Sequence, residues 1–148
     1  KLSAAATKMI LKHVNVEPLS GARRYISLHS LGGNVNDDQK RRYSCFAYRD
    51  KPFLMQYQAW WTKPELDTEC LAWVNNFRDA MHLDKDGKPL YTEGAFINFP
   101  DRDLVKTNVQ KVLMEPYYGE QNLEKLMRIK NEVDPRGVFD FPMGIPRS

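Results

Sequence analysis

Residues 117–139 read YYGEQNLEKLMRIKNEVDPRGVF, an aromatic pair and a glycine followed by a run that breaks at Asp134-Pro135. Leu123, Leu126, Met127, Lys130 and Val133 recur at helical spacing, which predicts a helix from about Gln121 to Val133 with one inner face. Pro135 has no N–H to give the preceding turn, and Gly137 tolerates a positive φ, so the two together end the helix. A helix this clearly terminated must lay its apolar stripe on something, and the upstream sequence has to supply it.

Upstream, elements alternate. Residues from about Ala4 to His13 read as a helix with Ala5, Met9, Ile10 and His13 or Val14 on one face. RRYISLHSL at 23–31 reads as a strand, with Tyr25, Ser27, His29 and Leu31 on one side and Ile26, Leu28 and Ser30 on the other, closed by Gly32-Gly33. YSCFAYR at 43–49 and FLMQYQAWW at 53–61 are two further β-prone runs, and the short DKP between them predicts an antiparallel hairpin. Thr62 and Glu65 flank Pro64 in the spacing of a capping box, followed by a helix whose stripe is Leu66, Cys70, Trp73, Val74, Phe77 and Met81. LDKDGKPL at 83–90 is a turn or surface loop by composition, GAFINF at 94–99 a short strand stopped by Pro100, and 103–113 is open between helix and loop. Four or so strands with helices after them give an α+β class: an antiparallel sheet covered on one face by helices.

Composition narrows the functions. With 148 residues, 42% hydrophobic and 11% aromatic, the chain can bury a real core. Its 22 basic and 19 acidic residues are spread along the whole length, leaving no basic stripe for nucleic acid to follow. No apolar run approaches the roughly 18–20 residues that span a bilayer, so neither nucleic acid nor membrane is expected as a partner. Lys8 and Lys12 interrupt any signal-peptide core, and the absence of an initial Met suggests that further sequence precedes Lys1. Cys45 and Cys70 are compatible with one disulfide or with two thiols, and no Asn-x-Ser/Thr sequon occurs.

No GxGxxG, Walker loop, HExxH, GxSxG or CxxC is present, and His13, His29 and His82 are too scattered for a sequence-local metal site, so no metal is expected. Three residues have two readings each. His29 shares a strand face with Tyr25 and Ser27 just before a glycine pair; it is either a histidine satisfied by one hydrogen bond or a group facing a bound molecule. Gln56 alternates with Leu54 and Gln58 among aromatic neighbours, where an amide needs a partner: water, backbone, or the polar edge of a ligand. Asn98 stands between Phe96 and Phe99 beside Pro100, where it either caps the turn or reaches a ligand.

GAFINFPDRDL at 94–104, then YYG at 117–119, Leu123 with LMRIK at 126–130, DPRGVF at 134–139 and GIP at 144–146, resembles the C-terminal signature of the berberine bridge enzyme-like flavoproteins of the vanillyl-alcohol oxidase superfamily. LGGNVND, AYRDKPF and QYQAWW upstream are similar to that family's strands, so the resemblance runs from about Tyr25 to Pro146. It implies FAD as cofactor, bound mainly by an N-terminal portion outside this chain, which is expected as a separate chain of the same cleaved protein. It implies residues 1–113 as the C-terminal portion of a substrate-binding α+β domain, and 114–148 as a segment packing back on the FAD-binding domain. The implied activity is oxidation of a small molecule (a sugar, alcohol or specialised metabolite) by hydride transfer to flavin, with oxygen as electron acceptor; many relatives are extracellular, which implies secretion. Phe99 stands where such oxidases often carry a tyrosine base, and His29 where relatives often place a tyrosine facing the flavin. Imidazole, with an ordinary pKa of about 6.5, is a competent base at neutral pH, so His29 is expected to take over or share that role. Gln56 matches a position facing substrate or flavin, Asn98 one near the isoalloxazine, and Phe96 and Phe99 its apolar walls. Gly137 replaces the usual asparagine of the DPxNxF pattern, the YYG segment is one residue longer than the family spacing, and AYR lacks the common histidine. The alternative is a flavoprotein scaffold that has lost oxidation and serves in binding or structure, an option that Phe99 keeps open.

Overall fold

A computed structural model describes residues 2–17, 19–82, 90–101 and 110–147. In chain order the elements are α1 (Ala4–Val14), β1 (Ala22–Ser30), α2 (Asp38–Arg41), β2 (Phe53–Trp61), α3 (Asp67–His82), α4 (Gln110–Tyr118) and α5 (Glu120–Val133), with 3-10 turns at Gly33–Asn36 and Pro64–Leu66. The α+β class is borne out: helices accompany one antiparallel sheet. The chain forms two compact units, one of residues 1–32 and 52–93, the other of 33–51 and 94–148.

In the first unit β1 and β2 pair along their whole length, from Ala22 opposite Trp61 to Ser30 opposite Phe53. Side chains alternate across a strand, so Ile26, Met55, Tyr57 and Ala59 point to one face, where they pack on Ala6 of α1 and on Trp73, Phe77 and Met81 of α3. The stripe read from the sequence of α3 is therefore its buried face, with Cys70 also inside. Phe77 is the centre: its ring stacks on His13 at 4.5 Å and meets Tyr57 at 4.9 Å and Trp73 at 5.5 Å. Trp73 Nε1 donates to the His13 carbonyl at 2.9 Å, so the indole is buried without an unpaired donor. Burial also pushes the Tyr57 phenol up to about 12. Ser3 caps α1 by accepting from Ala6 N at 3.1 Å.

The second unit is built on α4 and α5, which share a core of Met114, Tyr117 and Leu123 with Ile97, Met127, Met143 and Ile145 packed against it. Gly119 alone separates the two helices at φ 71° and ψ 152°, a conformation open essentially to glycine. The carbonyl of Pro116, which has no acceptor duty left at the end of α4, receives Ala95 N at 2.8 Å and the Tyr48 hydroxyl.

Three local expectations are corrected. Residues 43–50 form no strand; Ser44 Oγ accepts from Phe46 N at 3.1 Å, which draws the backbone into turns, and β2 takes β1 as its partner instead. GAFINF is not a strand either: Gly94 sits at φ 71°, and Phe99 N closes a turn on the Phe96 carbonyl at 2.9 Å. The Thr62/Glu65 box does not form, because Pro64 begins a 3-10 turn without a side-chain cap and α3 starts at Asp67. The loop expected at 83–90 lies outside the described residues except for Leu90, as does the ambiguous stretch from 103 to 109.

Candidate functional site

The face of the β1–β2 ribbon away from the core carries Tyr25, Ser27 and His29 on one strand and Leu54, Gln56, Gln58 and Trp60 on the other. A one-residue shift of register would have buried this set; Ile26 and Tyr57, facing each other on the apolar side, hold it outward. Two amides act as crossbars between the strands. Gln58 accepts from the Tyr25 hydroxyl at 3.2 Å and donates through Nε2 to Ser27 Oγ at 2.8 Å. Gln56 Oε1 lies 3.2 Å from His29 Nε2. His29 is exposed and Gln56 half-buried, while the Trp60 ring is 62% exposed, leaving a flat aromatic beside the polar ladder. Chemically, the face offers an imidazole held by a neutral partner, with hydroxyl and amide groups along the same side, which suits an oxygen-bearing ligand laid along the ribbon.

In the second unit, Phe96 packs edge-on against Phe46 at 6.0 Å and meets Phe99 at 5.9 Å. Arg49 lies over Phe46 at 5.7 Å and donates to the Val35 carbonyl and to Ser44 Oγ. Phe99 remains 58% exposed and Asn98 is exposed in the turn, so one aromatic edge and one amide face outward at the corner before Pro100. Gly94 is required here twice over, by its positive φ and because a Cβ would overlap the Tyr48 ring.

The DPRGVF stretch is held by a clamp. Asp134, buried just past α5, accepts from Lys130 Nζ at 2.5 Å and from the backbone N–H groups of Val138 and Phe139 at 2.8 and 3.0 Å. Lys130 Nζ also donates to the Phe139 carbonyl. The Lys130 hydrogen bond first, then the two backbone donors, hold the Asp134 carboxyl down at about 2 against the opposing pull of burial. Gly137 does adopt a left-handed φ of 65°, as the exchange with asparagine requires. Beside the clamp lies an open groove of about 290 Å³ lined by Ile97, Tyr118, Lys130, Phe139, Phe141 and Met143 among others.

The structure thus joins His29 to Gln56, and Phe96 to Phe99, and puts Asn98 in the turn that separates the two rings. Sequence reading placed Gln58, Tyr25 and Ser27 on the right faces without seeing them as one network, because the partner of β2 was misassigned; matching the two nine-residue strands would have revealed it. The Lys130–Asp134 clamp had an i,i+4 signal that helical periodicity alone did not flag. Cys45 and Cys70 are both free thiols.

The first unit is thus an α+β ribbon with a polar outer sheet face, and the second a helical pair ending in a clamped DPRG turn. Residues 95–146 match the sequence model of the family described as "Berberine and berberine like". The chain is 30% identical to an aclacinomycin-N/aclacinomycin-A oxidase of Streptomyces galilaeus, with 97% of this chain and 27% of the relative covered. It is also 30% identical to an uncharacterized FAD-linked oxidoreductase of Bacillus subtilis (81% and 23% covered). A hexose oxidase of Chondrus crispus is 28% identical, with 62% and 19% covered. The chain therefore spans about a quarter of the length of the curated relatives it matches. A solved structure of a histidine-to-alanine variant of berberine bridge enzyme shares the fold, with a TM-score of 0.61 at 22% identity over 99% of this chain and 31% of that one.

Proposed function

We propose that this chain is the C-terminal part of an FAD-dependent oxidoreductase that oxidises a sugar, alcohol or specialised metabolite, with oxygen as electron acceptor. The observation that carries the reading is His29 on an exposed sheet face, 3.2 Å from a neutral amide of Gln56. When bound, FAD supplies the acceptor for the hydride. His29 takes the hydroxyl proton as the C–H electron pair leaves the substrate carbon, so a carbonyl forms and the imidazole becomes imidazolium. Gln56 acts beside it. Asn98, Phe96 and Phe99 are proposed to contact the cofactor, the two rings as apolar walls.

Each unit by itself offers groups of the kinds that meet a planar, hydrogen-bonding heterocycle: amides, hydroxyls and an imidazole on the ribbon of the first, and an exposed ring and amide at the 96–99 turn of the second. No glycine-rich phosphate cradle is found among the described residues. The diphosphate and adenosine are accordingly assigned to an N-terminal portion of the same protein, outside residues 1–148 and carried as a separate chain. In that arrangement 1–113 belong to the substrate domain and 114–148 pack back on the FAD-binding domain; the exposed Val133, Val138, Phe139 and Phe141 support the second half of that assignment. Secretion rests on the resemblance; among the described residues no helix is long and apolar enough to cross a membrane.

The test is the absorption spectrum of the full-length protein under a panel of sugars and alcohols. Flavin bleaching by one of them is expected, and His29→Ala should slow that reduction by about 10²–10⁴-fold. An unchanged rate would remove the base. A second reading has one observation behind it: Phe99 carries no hydroxyl where a tyrosine base is common, which fits a scaffold that binds without oxidising. A flavin that no substrate reduces would favour it. Intact mass of the purified protein decides between one chain and two.

A further inference from the structure

We propose that Gln56 acts through His29: it fixes the imidazole as the Nε2–H tautomer, so the proton drawn from substrate is taken at Nδ1. This rests on the reading of His29 as the base. A neutral imidazole has one N–H and one bare nitrogen. The atom of Gln56 that faces Nε2, at 3.2 Å, is the carbonyl oxygen Oε1, which only accepts. Nε2 must therefore carry the hydrogen, and Nδ1 is left with the lone pair.

The register explains why this contact is possible. Gln56 stands directly opposite Ser27, and His29 directly opposite Leu54, so the pair is diagonal on one sheet face, within reach of two long side chains but not of short ones. The neighbouring crossbar repeats the geometry: Gln58, opposite Tyr25, reaches diagonally to Ser27. Ser27 is thereby engaged by Gln58, and Gln56 is the amide left for His29. The same oxygen favours the product of proton transfer, because imidazolium has two N–H groups and Gln56 Oε1 already receives one of them. Gln56 is thus a positioning residue, and its two N–H donors remain available on the same face.

Nitrogen NMR of the full-length protein labelled with ring-15N histidine reads the tautomer directly, with His29→Gln used to assign the signal. At alkaline pH wild type is expected to show one neutral form, protonated at Nε2 and bare at Nδ1. Gln56→Glu, still an acceptor, should keep it; Gln56→Met, which cannot donate and accepts only weakly through its thioether, should give a mixture of both tautomers. A wild-type ring protonated at Nδ1, or a tautomer pattern unmoved by Gln56→Met, overturns the proposal. The wild-type spectrum decides even if a variant fails to fold. Because no turnover is involved, the two readings fail separately: an Nε2–H ring with a fully active His29→Ala removes the base, whereas a reversed tautomer with an inactive His29→Ala removes only the role of Gln56.

Discussion

Asp134 shows how one carboxylate can hold a whole turn. Its two oxygens are shared among Lys130 and the N–H groups of Val138 and Phe139, so the segment after α5 is fixed by charge-assisted bonds where no regular structure exists. The folded carboxyl titrates at about 2, below its ordinary 3.8. A depressed acid contributes stability that is complete above the unfolded value and lost as pH falls through the folded one. Asp134→Asn should therefore be less stable than wild type at neutral pH, with the gap closing between about pH 4 and pH 2; urea midpoints of both proteins across that range measure it. Gly94 is the second residue on which a turn depends. Gly94→Ala has to accept a positive φ and displace the Tyr48 ring, whose hydroxyl is tied to the Pro116 carbonyl. A loss of at least about 2 kcal/mol is expected in chemical denaturation, larger than backbone strain alone would give.

Among elements, α3 and β2 carry most of the first unit. The helix is amphipathic with a narrow stripe, and the sheet offers one apolar face, so each satisfies what the other exposes. Phe77 sits where the two meet α1, touching His13, Tyr57 and Trp73. Phe77→Ala should cost about 3–5 kcal/mol, because three rings cannot close over the space it leaves; a thermal melt of the full-length variant reads the loss. The expectation for α3 held wherever periodicity carried it and failed at its start. Proline in the first turn was legible, but whether the chain there winds as a capped α-turn or a tighter 3-10 turn depends on the backbone around Leu66, whose N–H bonds the Lys63 carbonyl at 3.0 Å. Likewise YSCFAYR and GAFINF have strand composition, yet each contains a local alternative to a ladder, Ser44 in one and a positive-φ Gly94 in the other.

At the scale of the molecule, the exposed side chains matter as much as the buried ones. Val133, Val138, Phe139 and Phe141 are between 60% and 76% exposed, all within or just after α5 and its clamped turn. Under the proposed packing of 114–148 on the FAD-binding portion, this apolar surface would be the part that is covered. A full-length Phe139→Asp, Phe141→Asp double variant is then expected to lose bound flavin at lower urea than wild type, with the helical signal of α5 retained. Equal flavin retention in both would set that assignment aside.

By itself the sequence determined the helices with strong periodicity, the stop after Val133, the two faces of each strand and the order of motifs that marks the berberine-like segment, because these depend on spacing along the chain. Only the tertiary structure decided which strand pairs with which, that Gln56 and Gln58 reach across to His29, Ser27 and Tyr25, and that Lys130 and Asp134 close the final turn. Those are contacts chosen by competition among partners distant in sequence or among alternative local hydrogen bonds, and their outcome depends on which core the competing segments can bury together.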